Sequence, residues 1–213
     1  MPDNPRHRTE GFTLVELLVA VGLTAILMWG LLNLYSFATR FSRTMFNEAE
    51  LCAIGRAALD RLCRELASAA PLDVGYLQIT NNGVADEIRF VAPTGDGATL
   101  AHLHYYLDTA ATPPGLYRAI KTPVADNQIP TGYDRQTPIG VNVIGFNVTY
   151  IQEGSTTPSE PPDEASRTWQ DDDVTDGVTR LPLGVLVELT VADPASGASV
   201  TLSSGATLGA SGM

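Results

Sequence analysis

The sequence predicts an α+β protein in which one long N-terminal helix packs on an antiparallel β-sheet domain. No proline occurs between Phe12 and Ala70, and Pro71 then marks the end of the predicted helix. Beyond Pro71 the apolar residues alternate with polar ones in short runs, which is typical of strands. With 213 residues, 44% of them apolar, the chain can form one membrane helix and one globular domain with its own core.

Residues 1–11 form a short polar leader, and residues 12–37 form an apolar stretch in which Glu16 is the only charged residue. A membrane-spanning helix needs about 20 residues, so residues 12–37 are predicted to be the transmembrane half of the helix. A carboxylate at membrane depth costs at least about 2.5 kcal/mol, so either Glu16 is a functional group with a partner or the segment is not a membrane span.

Two ordinary explanations of the apolar stretch compete with this one. A secretory signal has an apolar core of about 7–15 residues and an A-x-A-like cleavage site, whereas this core is longer and residues 36–39 make a poor site. A plain signal anchor is the other explanation. It leaves the order of residues 11–16 unexplained.

Residues 38–70 are predicted to be the amphipathic half of the helix. The apolar positions at helical spacing are Leu51, Ala58, Leu59, Leu62 and Leu66. This stripe is expected to pack on the C-terminal domain, and Gly55, which interrupts it, is expected to admit a side chain from that domain. Two pairs with helical spacing, Asp60/Arg64 and Arg61/Glu65, are expected to add about 0.3 kcal/mol each.

The two cysteines, Cys52 and Cys63, both lie in the predicted helix. Eleven helical residues rise about 16 Å. A disulfide allows only about 6 Å between α-carbons. The two residues therefore cannot pair with each other, and they serve either as small buried apolar groups or in intermolecular pairing.

Residues 71–213 are predicted to form a β-rich globular domain. The candidate strands are Gly75–Thr80, Glu87–Ala92, Leu100–Leu107, Leu116–Ile120, Val141–Gln152, Gly184–Ala192 and Ser199–Ser203. Turn-forming residues such as Asn81-Asn82-Gly83 separate them. The polar stretch from Glu153 to Thr179 is predicted to be a long loop.

The charge is concentrated in this β-rich domain. Residues 71–213 contain six basic and seventeen acidic side chains, whereas residues 1–11 and 12–70 each contain equal numbers of both signs. The whole net charge of −11 therefore belongs to residues 71–213. An acidic domain is repelled by nucleic acid, which argues against nucleic-acid binding.

No catalytic set of residues emerges, so the sequence predicts neither an enzyme nor a cofactor or small-molecule substrate. His102 and His104 alternate along a strand, and a surface-facing pair is favoured over a metal site because no third ligand has suitable spacing. The carboxylates suited to calcium are Asp171, Asp172, Asp173 and Asp176, but their spacing is not that of an EF-hand, and a solvated acidic loop is favoured.

The segment Gly11-Phe12-Thr13-Leu14-Val15-Glu16 resembles the class III signal of type IV pilins and pseudopilins. The resemblance implies that a prepilin peptidase cuts after Gly11 and methylates the new amine of Phe12. It also implies that Glu16 meets the N-terminal ammonium of a neighbouring subunit during assembly. In this family the leader stays in the cytoplasm, the helix spans the inner membrane, and the remaining residues, here 38–213, lie in the periplasm.

The order of elements is similar to that of the J-type minor pseudopilins of type II secretion, and also to that of W-type minor pilins of type IV pili. Residues 56–66 and the strand-like segments 86–90, 103–107, 115–118, 143–150 and 181–189 carry this likeness. The resemblance implies a pilin-like fold and, as partners, I-type and K-type minor pseudopilins.

A membrane-tethered binding module, such as an adhesin, is the alternative class of function. Aromatic residues make up only 7% of the chain and no aromatic cluster stands out, which favours an assembly subunit.

Overall fold

The computed structural model describes residues 13–70, 75–94, 99–124, 128–152, 154–161, 165–169 and 181–208. In these residues one long helix is followed by nine strands, which confirms the predicted α+β fold. The helix is α1 (Leu14–Ala67), and the strands are β1 (Leu77–Asn81), β2 (Asp86–Pro93), β3 (Leu100–Asp108), β4 (Gly115–Lys121), β5 (Arg135–Val141), β6 (Val143–Ile151), β7 (Ser166–Trp169), β8 (Gly184–Ala192) and β9 (Ser199–Thr207).

The chain divides into two compact units, residues 1–46 and residues 47–213. Within the first unit the described residues are helical from Leu14 onwards, and their large apolar side chains are exposed. A window of α1 with a mean hydropathy of 2.2 is long and apolar enough to cross a membrane, and none of that window is buried by the chain.

The second unit contains two antiparallel sheets. The larger has the strand order β5-β4-β3-β2-β1-β7, and the smaller has the order β6-β8-β9. Strand β6 lies against β2, β3 and β4, and residues of both sheets belong to one core. Alternate residues of strands from both sheets enter this core because successive side chains of a strand point to opposite faces. Ile88 and Phe90 of β2 and Val187 and Leu189 of β8 are examples.

The amphipathic stripe of α1 belongs to the same core, as the sequence predicted. Leu51, Ala58, Leu59, Leu62 and Leu66 are all buried there. The prediction for Gly55 is also confirmed, because a side chain at this position would overlap the Cδ1 atom of Leu202 from β9. The absence of a side chain at Gly55 thus lets β9 approach the helix closely.

Two of the predicted strand assignments were wrong in ways that have physical causes. The stretch predicted as one strand, Val141–Gln152, contains the end of β5 and all of β6, separated at Asn142, whose φ is 59°. The sequence pattern did not indicate β5 because Pro138 interrupts it. An edge strand tolerates proline, since one side of it makes no ladder bonds.

The stretch predicted as a long loop, Glu153–Thr179, contains the short strand β7. Its four residues pair with β1, and the buried Trp169 lies opposite Leu77. A four-residue strand in a polar stretch has too little alternation to be recognised from sequence, and Trp169 holds it in the core through an edge contact with Tyr150 at 4.8 Å between ring centroids. Strand β9 also extends beyond its predicted end, to Thr207, because it pairs with β8 as far as Gly184.

Candidate functional site

The N-terminal end of α1 is closed by a reciprocal pair of side chains. The Oε2 atom of Glu16 accepts hydrogen bonds from the main-chain N–H of Thr13 at 3.1 Å and from the Thr13 hydroxyl at 3.0 Å. The N–H of Glu16 donates in return to the Thr13 hydroxyl oxygen at 3.3 Å. This arrangement is a capping box, in which Thr and Glu three residues apart satisfy helix N-terminal donors.

Glu16 was predicted from the sequence as a site residue, whereas its partner Thr13 was missed. The signal was present, because Thr-x-x-Glu before an apolar run is the sequence pattern of a capping box. Both residues are exposed, and within the described part of the chain no group bonds the second carboxylate oxygen of Glu16, Oε1. The predicted processing residues, Gly11 and Phe12, lie outside the described residues.

Five polar side chains in residues 14–46 bond to carbonyl groups of their own helix. The hydroxyls of Thr24, Ser36, Thr39 and Thr44 and the amide of Asn33 each donate to the carbonyl four residues earlier. Such bonds satisfy polar groups without water. The helix can therefore present these residues to an apolar environment.

Comparison with known proteins agrees with this geometry. The family described as "Prokaryotic N-terminal methylation motif" matches residues 6–32, which include Gly11, Phe12 and Glu16. No curated protein matches the chain at a significant level. The motif and the exposed apolar helix support a protein of the type IV pilin-like class, which is structural and not enzymatic.

The motif carries two further implications for this class of protein. It implies processing by a prepilin peptidase and assembly with other pilins. The apolar helix near the N-terminus fits anchoring in a membrane.

The prediction that His102 and His104 face the surface was wrong. Their exposed fractions are only 3% and 8%, because the connection between β4 and β5 and the residue before β1 supply aromatic rings that cover them. Tyr133 lies 5.2 Å from His104, and Tyr76 stacks on His102 at 5.8 Å, measured between ring centroids.

His104 takes part in a polar network on this covered face. Its Nε2 atom lies 3.0 Å from Oε2 of Glu87, which also accepts from Arg89 at 2.8 Å. Burial lowers the pKa of His104 below its ordinary value, and the hydrogen bond to His104 lowers the pKa of Glu87. His104 is therefore neutral at neutral pH, and its bond to Glu87 is a structural one.

The inference that the protein has no aromatic cluster was also wrong. His104 stacks with Tyr106 at 4.7 Å, and Tyr106 stacks with Tyr117 at 5.8 Å, so that a row of rings crosses the larger sheet. His104 and Tyr106 lie two residues apart on β3, and the pairing of β3 with β4 places Tyr117 opposite Tyr106.

The metal-site predictions fall in two places. Among the described residues, no three side chains of the metal-binding types come together, so His102 and His104 lack a third ligand there. The acidic candidates Asp171, Asp172, Asp173 and Asp176 lie outside the described residues.

A buried ion pair fixes α1 to the larger sheet. Oε2 of Glu65 accepts hydrogen bonds from the Tyr105 hydroxyl and from Nε of Arg118, the latter at 2.7 Å. Oε1 of Glu65 accepts from Arg61 at 3.3 Å, which confirms one of the two predicted helical pairs. The other predicted pair, Asp60/Arg64, does not form within the described helix. Arg118 is only 5% exposed, so its charge depends on Glu65 for compensation.

The cysteines are unpaired, as the helix geometry predicted. Both are half-buried, not fully buried. Burial raises the pKa of the Cys63 thiol. A hydrogen bond with Ser204 acts in the opposite direction but is the smaller effect. Neither residue contributes to the N-terminal site.

Proposed function

We propose that this protein is a J-type minor pseudopilin, a structural subunit at the tip of a type II secretion pseudopilus that helps to start assembly for protein export. The observation that carries the proposal is the methylation motif over residues 6–32, continuous with a helix whose apolar residues the chain leaves exposed. The two-sheet domain on the rest of the helix and the order of its elements support the J type over a major subunit.

In this proposal the prepilin peptidase removes residues 1–11 and methylates the amine of Phe12. The helix then anchors the subunit in the inner membrane, with the β-rich domain in the periplasm. Glu16 would pair with the methylated ammonium of a neighbouring subunit. In a low-dielectric medium, opposite charges that each cost several kcal/mol alone cost much less together.

The capping box supports this role of Glu16. Thr13 engages only Oε2 of the carboxylate, so Oε1 is left to accept a bond from an incoming ammonium. The same side chain can thus close its own helix and receive a neighbour. We expect the two roles to separate by mutation, because glutamine also serves as the third residue of a capping box but carries no charge.

Co-expression with a prepilin peptidase tests the processing step. We expect the mass of the purified protein to fall by residues 1–11 and to rise by one methyl group, and we expect Gly11→Leu to block both changes. A leader that stays intact under these conditions, with no difference between wild type and Gly11→Leu, would contradict the proposal.

Three variants at the capping box test the assembly step. Glu16→Gln and Glu16→Leu should be processed but should fail to enter filaments, since both lack the charge. Thr13→Val keeps the charge and loses the hydroxyl, so it should assemble at a level closer to wild type. Normal secretion or filament formation by Glu16→Gln would rule out the ammonium pair.

The expected partners are the I-type and K-type minor pseudopilins. The net charge of −11 disfavours stacking of identical copies and suits docking on less acidic subunits. Co-purification of the full chain with these subunits from membranes tests this, and long homopolymers of this chain alone would contradict it. Incorporation into a pilus with no effect on secretion would instead assign the chain to the W-type minor pilins.

A further inference from the structure

Among the described residues the two sheets end in four edge strands, and three of these are protected against pairing with another chain. An edge strand exposes unpaired main-chain groups, which proteins shield with charges, prolines, bulges or short length. Strand β5 carries Arg135 and Pro138 and shifts register against β4. Strand β7 has only four residues.

The edge of β6 is protected by groups that bond to it. The carboxylate of Asp86 accepts the N–H of Val148 in the middle of the strand. Tyr150 and Ser159 exchange two main-chain hydrogen bonds, of 2.9 and 2.8 Å. The main-chain groups on the open side of β6 are therefore partly occupied from within the chain.

In the part of the chain that the structure describes, strand β9 has none of these protections. It has nine residues, Ser199–Thr207, none of them charged and none proline, and it pairs with β8 over its full length without a register shift. Alternate residues face outward, and these are small: Ser199, Thr201, Ser203, Gly205 and Thr207. Within the described residues, no main-chain hydrogen bond reaches the side of β9 that faces away from β8.

An exposed carboxylate lies beside this open edge. Glu188 of β8 is directly opposite Ser203 of β9, and it forms no ion pair with any residue that the structure describes. A strand added to β9 would lie about 10 Å from β8, since neighbouring strands are about 4.8 Å apart. The small Ser203 side chain leaves room for a Lys or Arg side chain to cross β9 and reach Glu188.

We propose that the outer edge of β9 binds an extended segment of a partner protein, which adds a fourth strand to the sheet and places a basic side chain opposite Ser203. Main-chain hydrogen bonds supply the affinity in this mode of recognition, and the charge selects the partner. A second copy of this chain is a poor occupant because each copy has a net charge of −11 and its own β9 has no basic residue. Only residues of the β-rich unit form this edge, and its use does not require the partner to be a pseudopilin.

Peptide binding to the full-length protein in detergent micelles tests the proposal. The probe is a synthetic nonapeptide with the sequence of residues 199–207, except that its central residue, which aligns with Ser203 in antiparallel pairing, is Lys. A matched peptide has Glu at the centre, and a third carries the Lys sequence with alternate amides N-methylated. We expect the Lys peptide to bind about tenfold more tightly than the Glu peptide, and the N-methylated peptide to lose binding.

Hydrogen exchange and protein variants locate the binding site. The Lys peptide should slow amide exchange in residues 199–207, and Glu188→Gln should bring the affinities of the Lys and Glu peptides to within about twofold of each other. Thr201→Lys and Ser203→Lys should each weaken the Lys peptide, whereas Thr109→Lys, which adds the same charge in the β3–β4 turn, should not.

Folding of each variant is checked first by the fluorescence of the buried Trp169 in a Trp29→Phe background. Three results obtained with folded protein would then overturn the proposal. The first is that the wild-type protein does not bind the Lys peptide. The second is that the peptide binds but leaves amide exchange in β9 unchanged. The third is that the Lys and Glu peptides bind equally well. A homodimer that protects β9 without any peptide would show that a second copy occupies the edge instead.

Discussion

Helix α1 is one continuous element in two different environments. In residues 14–37 the apolar side chains cover every face of the helix and are exposed, as Leu31 is at 61%. In residues 47–67 they form a single stripe, and Leu62 in that stripe is completely buried. A helix that is apolar all round needs an apolar environment on every side, whereas an amphipathic one needs it on one face. The chain supplies the second environment itself, and the first has to come from a membrane or from other subunits.

The glutamates of the two regions also differ in whether the chain itself supplies their partners. Glu16 bonds to its own helix through one oxygen, and its second oxygen is unoccupied among the described residues. Glu65 uses both oxygens for bonds to Arg61, Tyr105 and Arg118. We conclude that Glu65 stabilises the domain, while Glu16 retains capacity for a partner outside the chain.

The largest expected effect tests this comparison with matched leucines. Leu62→Ala should lower the free energy of unfolding of the β-rich domain by about 3–5 kcal/mol, since it removes a fully buried side chain and leaves a cavity. Leu31→Ala should leave that value unchanged. Urea unfolding followed by fluorescence measures both, in a Trp29→Phe background where Trp169 is the only tryptophan.

A loss of domain stability in Leu31→Ala would show that residues 14–46 contribute to the fold of the domain. A neutral Leu62→Ala would show that the buried stripe does not hold the helix. Either result would contradict the difference between the two regions of α1.

The next effect concerns the two glutamates. Glu65→Leu should destabilise the domain by about 2–3 kcal/mol, because it leaves the charge of Arg118 buried without compensation. Burial alone lowers the pKa of Arg118, but the hydrogen bonds and charge interactions with Glu65 and Tyr105 together outweigh burial, and the pKa is raised. The double variant Glu65→Leu/Arg118→Leu should regain most of the loss. Glu16→Gln should not alter the unfolding curve, and a domain destabilised by it would contradict the separation of roles.

The sequence was sufficient for those parts of the fold that depend on local periodicity. The long helix, the buried stripe, the close approach at Gly55 and most strands follow from spacing along the chain. Strands β5 and β7 were missed because long-range pairing decides them: β5 tolerates Pro138 only as an edge strand, and Trp169 holds β7 against β1.

The residues of the candidate site, like the strands, were predicted only in part. Glu16 stands out because it is the only charge in an apolar stretch, while Thr13 was overlooked despite a recognisable pattern. The burial of His102 and His104 was not predictable from alternation, because alternation places residues on a face and cannot say which other segment covers that face. Here the covering residues, Tyr76 and Tyr133, are remote in sequence.

Two glycines of α1 give a smaller effect. Gly55→Leu should cost the domain about 1–3 kcal/mol, because the new side chain would displace Leu202 and lies close to Val191. Gly30→Leu should leave domain stability unchanged, since no atom lies near that position. The same urea experiment measures both. An unchanged unfolding midpoint in Gly55→Leu would mean that β9 can move away from the helix without loss.

The smallest expected effect is a pH dependence confined to the domain. Burial raises the pKa of the Asp86 carboxyl from 3.8 to about 6; the N–H of Val148 opposes this rise, and Glu160 adds to it. A raised pKa means that the folded state holds this proton more tightly than the unfolded state does. The contribution of Asp86 to stability is therefore fully present below pH 3.8, declines as the pH rises to about 6, and is lost above it.

Asp86→Asn removes this decline, and its side-chain carbonyl can still accept the Val148 N–H. We expect the variant to exceed wild type in stability by about 1–2 kcal/mol at neutral pH. At pH 5 the gain should be smaller, because part of the wild-type carboxyl is then protonated. Trp169 fluorescence in the Trp29→Phe background measures the unfolding of the domain. In a Trp169→Phe background, the fluorescence of Trp29 should be the same with Asp86 and with Asp86→Asn at either pH. A gain that is equal at both pH values would show that Asp86 does not titrate in this range, and a loss at both would show that the buried site requires the carboxylate.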